Sequence, residues 1–202
     1  ATYRQLNLDL RFSDDLSPLF QSVTVCSLRC GNHLCIQPME GCDGELDGTP
    51  GELTFRRFER FGAGGAKLIW GEAVAVLPEA KANARQLHLH RGNVAAFRKL
   101  LEDCRSAHRN AVGDDSDLLV GLQLTHSGRF CRPRDKKRLE PRIAYRHPIL
   151  DKKFGIASDD VVLIDSDVEQ LIECYVRAAR IASDVEADFV DIKHCHGYLF
   201  HE

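Results

Sequence analysis

The sequence predicts an α/β protein built as the first part of a (β/α)8 barrel. Strand-like apolar runs alternate with amphipathic helical segments along its 202 residues, a pattern typical of parallel strands covered by helices. The ends of four successive predicted strands carry the polar residues Glu40, Glu72, Gln123 and Lys193. Because a barrel gathers all of its strand ends around one mouth, this arrangement favours a barrel.

Turn and capping residues mark the first strand and the first helix. The apolar run at residues 34–39 is followed by a Gly- and Asp-rich turn. Thr49, Pro50 and Glu52 have the spacing of a capping box with proline at the first helical position, which predicts a helix start at Thr49. Phenylalanines then recur at helical spacing, and Gly62 is placed to end this helix.

The later units repeat the alternation. Residues 67–73 form the second predicted strand, 94–107 the second helix and 118–124 the third strand. A second capping box at residues 166–169 opens the third helix, and FVDI at residues 189–192 is the fourth strand. The third helix is predicted to bury the stripe Val168, Leu171, Ile172, Tyr175, Ala178, Ala179 and Ala182.

Two architectures fit this alternation, a doubly wound open sheet and a barrel. An open sheet gathers only the strand ends at its switch point, so four polar ends favour the barrel. A complete barrel typically needs about 250 residues. We therefore expect residues 1–202 to be a fragment, the N-terminal half of one barrel domain with about four βα units. A long loop at about residues 127–165 joins the third strand to the third helix.

The composition is that of an ordinary globular protein, with 44% hydrophobic residues, 28% charged residues and a net charge of −3. So small a net charge does not suggest a nucleic-acid or anionic-membrane partner, and no apolar run reaches the roughly 20 residues that span a bilayer. The first residues lack the pattern of a secretory signal. We expect a cytoplasmic protein with a small-molecule substrate and leave a homo-oligomer open.

Eight cysteines are many for such a chain. Cys26, Cys30, Cys35 and Cys42 lie close together, but without the paired spacing of a zinc or iron–sulfur site. Cys35 and Cys195 fall in predicted buried strands, where cysteine acts as a small apolar residue. Reduced structural thiols and no metal site are expected.

The segment GLQLTHSGRF at residues 121–130 places the amide of Gln123 at a strand end. An amide both donates and accepts hydrogen bonds, which suits the edge of a planar ring carrying C=O and N–H groups. A polar strand end satisfied by neighbouring backbone is an equally open interpretation. The Gly-rich run at residues 62–67 lacks GxGxxG spacing and precedes a strand, so it predicts a helix stop rather than a dinucleotide loop.

The densest chemistry lies at the end of the chain, where Lys193, His194, His196 and Tyr198 crowd a strand end. A cation, an imidazole and a phenol there are suited to bind a carbonyl oxygen and deliver a proton. Zinc binding by the two histidines is weaker, because no second ligand cluster completes a set. The Lys/Arg-rich stretch at residues 129–146 predicts either a solvated loop or a basic cap that binds anionic ligands.

Four segments resemble, in order, the strand-end motifs of the Old Yellow Enzyme family of NADH:flavin oxidoreductases. They are QPMEGCDG at residues 37–44, LIWGEA at 68–73, LQLTHSGR at 122–129 and VDIKHCHGYL at 190–199. The resemblance spans essentially the whole chain. It implies a TIM barrel that binds FMN non-covalently at its mouth. It further implies that NADH or NADPH serves as a transient reductant and that hydride passes to the β-carbon of an activated alkene.

The resemblance also implies roles for individual positions in binding the flavin. Pro38 and Met39 match the backbone that runs beside the isoalloxazine ring, and Glu40 takes the place of a small polar or thiol side chain near its N5/O4 edge. Ala73 matches a second-strand flavin contact. Gln123 matches the glutamine that pairs with the pyrimidine edge.

At the catalytic positions the sequence departs from the family pattern. His196 matches the second member of the pair that binds the substrate carbonyl, and Tyr198 matches the proton donor. The first member of that pair is usually histidine, but here it is Lys193. Glu40 adds a negative charge beside a ring that becomes electron-rich on reduction, which disfavours the reduced form. We therefore hypothesise that Glu40 and Lys193 form a compensating ion pair across the barrel mouth.

Three functions follow from these observations. The first is an FMN-dependent, ene-reductase-like oxidoreductase, of which this fragment alone is expected to be inactive. The alternative is a binding or scaffold protein that has kept the barrel and lost the chemistry, as the departures at Lys193 and Glu40 suggest. The third is a truncated, non-functional product.

Overall fold

The structure is a computed structural model, and it describes residues 13–202; the first 12 residues of the predicted domain lie outside the described part. The strands are β1 (Val23–Val25), β2 (Leu28–Cys30), β3 (Cys35–Ile36), β4 (Leu68–Ile69), β5 (Ala73–Ala75), β6 (Leu119–Thr125) and β7 (Phe189–Ile192). The helices are α1 (Glu52–Ala63), α2 (Val94–Val112), α3 (Pro148–Phe154) and α4 (Asp165–Asp184).

The main sheet is parallel and follows chain order. β3 pairs with β4, β4 and β5 pair with β6, and β6 pairs with β7, all in parallel. Sequential parallel strands with intervening helices are the arrangement of a barrel rather than of an open sheet with a switch point. β1 and β2 form a separate antiparallel hairpin.

The second predicted strand is interrupted by one extra residue. Ile69 pairs with Val120, and the next registered pair is Ala73 with Gln123, so four steps on one strand match three on its neighbour, which is a bulge. Gly71 lies in this interruption with φ +66°, and a Cβ there would lie 2.4 Å from the Gly121 carbonyl oxygen. Only glycine meets both demands, which explains why residues 67–73 do not form one strand.

The two faces of β6 serve different purposes. Val120, Leu122 and Leu124 belong to the apolar clusters between the sheet and the helices. Because side chains alternate along a strand, Gly121 and Gln123 occupy the opposite, inner face. At Gly121 the ring of Phe189 from β7 fills the space that a Cβ would need, 2.4 Å away.

An apolar cavity of about 640 Å³ lies on this inner face. The β1–β2 hairpin bounds it on one side, and the sheet contributes side chains that include Leu68, Trp70, Leu119 and Phe189. The rings of Trp70 and Phe189 meet edge to face with centroids 5.7 Å apart. The inner face of this sheet is therefore mainly apolar, and the cavity reaches Asp191 on β7.

Both predicted capping boxes are displaced. α1 begins at Glu52, and Thr54 Oγ1 accepts the backbone N–H of Gly51 at 3.2 Å. α4 begins at Asp165, and Asp167 Oδ2 accepts the N–H of Ile164 at 3.1 Å. In each helix a first-turn side chain bonds backward, so the predicted N-caps Thr49 and Ser166 are wrong. α1 ends one residue past the predicted Gly62, and the following turn has Gly65 at φ +80°, which confirms the helix stop.

The buried stripe of α4 is also shifted. Leu171, Tyr175, Ala178 and Ala182 are buried as predicted, together with Cys174 and Ile181. Val168 and Ile172 were predicted to be buried, but they are 42% and 53% exposed, and Ala179 is only half-buried. The helix contacts the sheet through a narrower face than its apolar pattern predicts, since apolar residues also occur on solvent-exposed helix faces.

The cysteines are all free thiols. Burial raises the pKa values of Cys104 and Cys131 to about 12 each, as expected for structural thiols. Cys35 is half-buried in β3, whereas Cys195 is exposed because β7 ends at Ile192; its prediction as a buried strand residue is wrong. Within residues 13–202, no group of His, Cys, Asp and Glu side chains is arranged to hold a metal.

The connection from β6 to α4 is long but ordered by local structure. It contains α3, two short 3-10 turns and a bridge between Ile143 and Val162. In the part of the chain that the structure describes, no helix has the length and apolarity needed to cross a bilayer.

Candidate active site at the strand ends

Glu40, Lys193 and Tyr198 form one cluster. Lys193 Nζ donates to Glu40 Oε1 at 3.0 Å, and the Tyr198 hydroxyl lies 3.2 Å from the same oxygen. The Lys193 side chain is only 3% exposed and that of Glu40 15%. The contact joins residues that lie 153 positions apart and confirms the predicted ion pair between Glu40 and Lys193.

The Tyr198 ring is enclosed by groups from several elements. Lys193 Nζ lies 4.4 Å from the ring centroid, a cation–π distance. The ring of Phe130 is 5.9 Å away. Burial raises the pKa of Tyr198, and the neighbouring Glu40 carboxylate raises it further. Tyr198 is therefore held as the neutral phenol.

Gln123 lies near the C-terminal end of β6, and its side chain is hydrogen-bonded to Asp191 of β7. The two residues are registered partners of β6 and β7, and Gln123 Nε2 donates to Asp191 Oδ2 at 2.6 Å. Gln123 is 6% exposed. Asp191 was missed by the sequence reasoning, although alternation places it on the same strand face as Lys193, two residues later, and this signal was available.

The other predicted flavin contacts come from the first two strands. Ala73 is fully buried in β5, paired with Gln123, and its carbonyl accepts Gln86 Nε2 at 2.9 Å. Pro38 is half-buried, whereas the side chain of Met39 is 74% exposed. The side chain of Met39 therefore points to solvent, and only its backbone is left as a possible flavin contact.

Glu72 is separated from the other polar strand ends by its partner. Its carboxylate is fully buried and forms an ion pair with Arg57 of α1, which in turn binds Asp43 through two hydrogen bonds. Burial raises the pKa of Glu72 to about 7, against the opposing effect of the Arg57 guanidinium. Glu72 thus belongs to a strand–helix network that is separate from the Glu40–Lys193 pair.

The two histidines after β7 take different positions. His194 is exposed and stacks on Phe200, with ring centroids 5.2 Å apart. His196 is exposed and has a left-handed backbone with φ +63°, and its ring meets Tyr198 edge-on at 5.9 Å. A non-glycine residue in this region carries a conformational cost, which here brings the imidazole next to the phenol.

Half of the basic side chains in residues 129–146 form ion pairs with carboxylates. Arg129 is 1% exposed and binds Asp151 and Glu202, with Arg129 Nε and Glu202 Oε1 2.7 Å apart. Further pairs in and around the stretch are Arg134 with Glu140, Arg142 with Asp167, and Arg146 with Asp151 and Asp159. Among the described residues, the four other basic side chains of the stretch form no ion pair, so a solvated loop and a basic cap both stay open; these side chains are Arg132, Lys136, Lys137 and Arg138.

The Arg129 cluster was also missed by the sequence reasoning. Arg129 follows β6, Asp151 lies in α3, and Glu202 follows the Tyr198 turn, so the cluster ties the long connection to the segment after β7. His126 lies at the start of this connection, and its Nδ1 accepts the N–H of Gly128 at 3.0 Å. Burial lowers the pKa of His126 to about 4, so it is a neutral structural residue.

Comparisons with known proteins agree with this geometry. The chain is 26% identical over 189 residues to an NADPH dehydrogenase of Listeria welshimeri, covering 93% of this chain and 51% of the relative. It is 25% identical over 189 residues to an NADPH dehydrogenase of Bacillus subtilis, covering 91% and 50%. The chain thus spans about half the length of the curated relatives it matches.

The fold is shared with solved structures. The crystal structure of an Old Yellow Enzyme from Pichia sp. superposes with a TM-score of 0.71 at 19% identity, covering 90% of this chain and 47% of that one. This similarity identifies the sheet as part of an α/β barrel. The family model of the NADH:flavin oxidoreductase / NADH oxidase family matches residues 18–202. From its strand order, its strand-end motifs and this match, the chain belongs to the NADH:flavin oxidoreductase / NADH oxidase family, which includes the Old Yellow Enzymes.

Proposed function

We propose that this protein is an FMN-dependent NAD(P)H oxidoreductase that reduces an activated C=C bond or a related small-molecule substrate. The observation that carries the proposal is the cluster of Glu40, Lys193 and Tyr198 at the strand ends, beside Gln123, which is held by Asp191 two residues before Lys193. The family membership and the names of the two NADPH dehydrogenase relatives support it. We place the protein in the cytoplasm.

The residues at the mouth fit a flavin ring. Gln123 is nearly buried, and Asp191 occupies its amide nitrogen, which leaves the amide oxygen to accept an N–H from a ligand. Thr125 follows on the same strand face, and its buried hydroxyl has no hydrogen-bond partner within residues 13–202. Because buried polar atoms are normally paired, this hydroxyl supports a ligand with polar edge atoms.

The binding roles follow the resemblance. The backbone of Pro38 and Met39, the side chain of Glu40 and the β5 residue Ala73 would hold the ring together with Gln123. FMN, when bound, would accept hydride from NADH or NADPH and donate it to the substrate. The remaining steps belong to the protein's own side chains.

Three side chains would act on the substrate. Lys193 and His196 would donate hydrogen bonds to a carbonyl oxygen, which would stabilise the negative charge that develops there. Tyr198 holds a proton on its phenol oxygen and delivers it to the carbon next to the carbonyl. His196 and Tyr198 lie side by side, with ring centroids 5.9 Å apart.

A second function is favoured by one specific observation. The groups that would bind the carbonyl and deliver the proton, Lys193 and Tyr198, both bond internally to Glu40. Because these hydrogen-bond donors are already paired within the protein, the barrel is suited to bind a ligand without catalysing its reaction. The second candidate is therefore a catalytically altered or inactive protein of the same fold that acts as a binding or scaffold protein.

Spectroscopy separates the two candidates. The protein is expressed from its complete open reading frame, purified, and incubated with FMN and then with NADPH or NADH without oxygen. We expect a yellow protein whose flavin absorbance is bleached by the nicotinamide and recovers on adding an enone. A folded protein that binds FMN but is not bleached supports the binding protein. A folded protein that stays colourless with excess FMN refutes the proposed function.

A further inference from the structure

Glu40 contacts two of the three side chains proposed to act on the substrate. Lys193 Nζ lies 3.0 Å from Glu40 Oε1, and the Tyr198 hydroxyl lies 3.2 Å from Oε1 and 3.4 Å from Oε2. A side chain that served only as a ring contact would not need either bond. The carboxylate therefore has a role toward these two residues in addition to any role toward the cofactor.

We propose that Glu40 is a positioning residue for Tyr198: its carboxylate, fixed by Lys193, accepts the phenol hydrogen bond and keeps Tyr198 protonated and oriented between turnovers. The catalytic consequence of this bond rests on the proposed function, whereas the bond itself does not. The sequence resemblance assigns Glu40 to the flavin edge, so a role toward the proton donor is a separate assignment.

The charges around the phenol explain why the bond matters. Ionised Tyr198 would place a second negative charge about 3 Å from Glu40, and like charges at such distances in a partly buried site strongly oppose ionisation. Lys193 acts in the opposite direction, since its ammonium lies close to both the carboxylate and the ring. The other titratable groups near the phenol are Cys42, whose effect is small, and the ring of His196.

Orientation follows from the same bond. A phenol hydroxyl exchanges between two orientations in the plane of the ring unless an acceptor favours one of them. The two oxygens of Glu40 lie at nearly equal distances from the hydroxyl, which aims its hydrogen toward the carboxylate at rest. Delivery of the proton to a substrate then requires the hydrogen to turn away from Glu40.

The test measures ionisation at position 198 directly. A fluorinated tyrosine of lowered pKa is incorporated there, so that its titration falls within the stable pH range and is followed by its ¹⁹F resonance. Loss of the Glu40 charge in Glu40→Gln should lower this pKa by about one unit, a tenfold change in the ionisation constant. Lys193→Met should raise it, because the compensating cation is lost.

A matched control is Glu45→Gln, which removes the same charge from the same loop. The Glu45 carboxylate is exposed and contacts Arg85 rather than Tyr198, so no change is expected at position 198. If Glu40→Gln does not fold, Glu40→Asp serves in its place and should give a smaller shift in the same direction, since its carboxylate is withdrawn by one methylene.

The proposal is overturned if Glu40→Gln leaves the pKa at position 198 unchanged or raises it. This readout needs neither FMN nor turnover, so it remains interpretable when the proposed function fails. When the enzyme is active, the high-pH limb of its kcat profile should move to lower pH in Glu40→Gln and not in Glu45→Gln. Absence of that second shift, with the ¹⁹F shift present, would remove Tyr198 as the proton donor and leave the Glu40 contact standing.

Discussion

Gln123 and Asp191 face each other across the pairing of β6 and β7, with Nε2 of the amide 2.6 Å from Oδ2 of the carboxylate. A carboxylate accepts hydrogen bonds and does not donate them when ionised, so it selects the NH2 end of the amide. The bond thereby fixes which end of Gln123 remains for a ligand. The neighbouring strand thus fixes the orientation of the Gln123 amide before any ligand binds.

Under the proposed function, FMN affinity should depend on Gln123. Replacing Gln123 by Ala in the protein expressed from its complete open reading frame should weaken FMN binding about tenfold or more, because a buried hydrogen bond worth roughly 1–3 kcal/mol is lost. Quenching of flavin fluorescence on titration gives the dissociation constant. The control Gln21→Ala removes an exposed amide near the N-terminal hairpin and should leave affinity unchanged; equal affinities for the two variants would contradict the assignment.

His126 should lower the stability of the protein as the pH drops below about 6.5. The pKa of His126 is lowered from 6.5 to about 4 by burial, so between these values the unfolded chain binds a proton that the folded chain excludes. The free energy of unfolding then rises with pH across this window, by up to about 1.4 kcal/mol per pH unit for this group. His126→Gln should flatten the dependence measured by urea unfolding, and His33→Gln, at an exposed position, should not. His88 contributes in the same direction, whereas Glu72, with its pKa raised to about 7, contributes in the opposite direction. The test is therefore the difference in slope between the His126→Gln variant and the unchanged protein.

Loss of the buried guanidinium of Arg129 should be costly. Arg129→Met leaves Asp151 and Glu202 buried without it, and breaking a buried ion pair typically costs about 3–5 kcal/mol. Arg134→Met removes an arginine whose side chain is 77% exposed, with an expected cost below about 1 kcal/mol. Chemical unfolding of both variants measures the difference. Similar losses would show that the Arg129 cluster does not hold the long connection in place.

The contact between Gly121 and Phe189 predicts a coupled pair. Gly121→Ala places a methyl group 2.4 Å from the Phe189 ring, and such overpacking should cost about 1–3 kcal/mol. Phe189→Leu in the same chain should recover part of that loss. A double-mutant cycle with a coupling energy near zero would show that the ring moves aside freely. Gly64→Ala is the comparison, since its added Cβ meets no atom closer than 3.3 Å.

The ion pair at the mouth should tune the bound flavin. Glu40→Gln leaves Lys193 without its counter-charge and should raise the reduction potential of FMN, while Lys193→Met leaves Glu40 alone and should lower it. The expected separation between the variants is at least about 30 mV, equivalent to a tenfold change for a two-electron couple. Equilibration with reference dyes gives the potentials. Shifts in the same direction for both variants would contradict compensation.

Local signals in the sequence predicted most of the fold. FVDI at residues 189–192 is a strand with the predicted bounds, and β6 is displaced by one residue, because apolar runs with turn signals at both ends leave little choice. The family motifs allowed Gln123, Lys193 and Tyr198 to be named together. The predicted helix starts were wrong because several polar residues near each start can cap it, and only the final backbone path selects one of them.

The chain's order of apolar and polar residues by itself determined the alternation of strands and helices, the parallel sheet and the polar strand ends. The tertiary structure alone decided which polar ends meet. Glu72 pairs with Arg57 on a helix, whereas Glu40 reaches Lys193 across 153 residues of sequence. The physical reason is that a buried charge needs a partner of opposite sign or polar groups that hydrogen-bond to it. Which partner lies within reach depends on strand order, register and the bulge at Gly71 rather than on the local sequence.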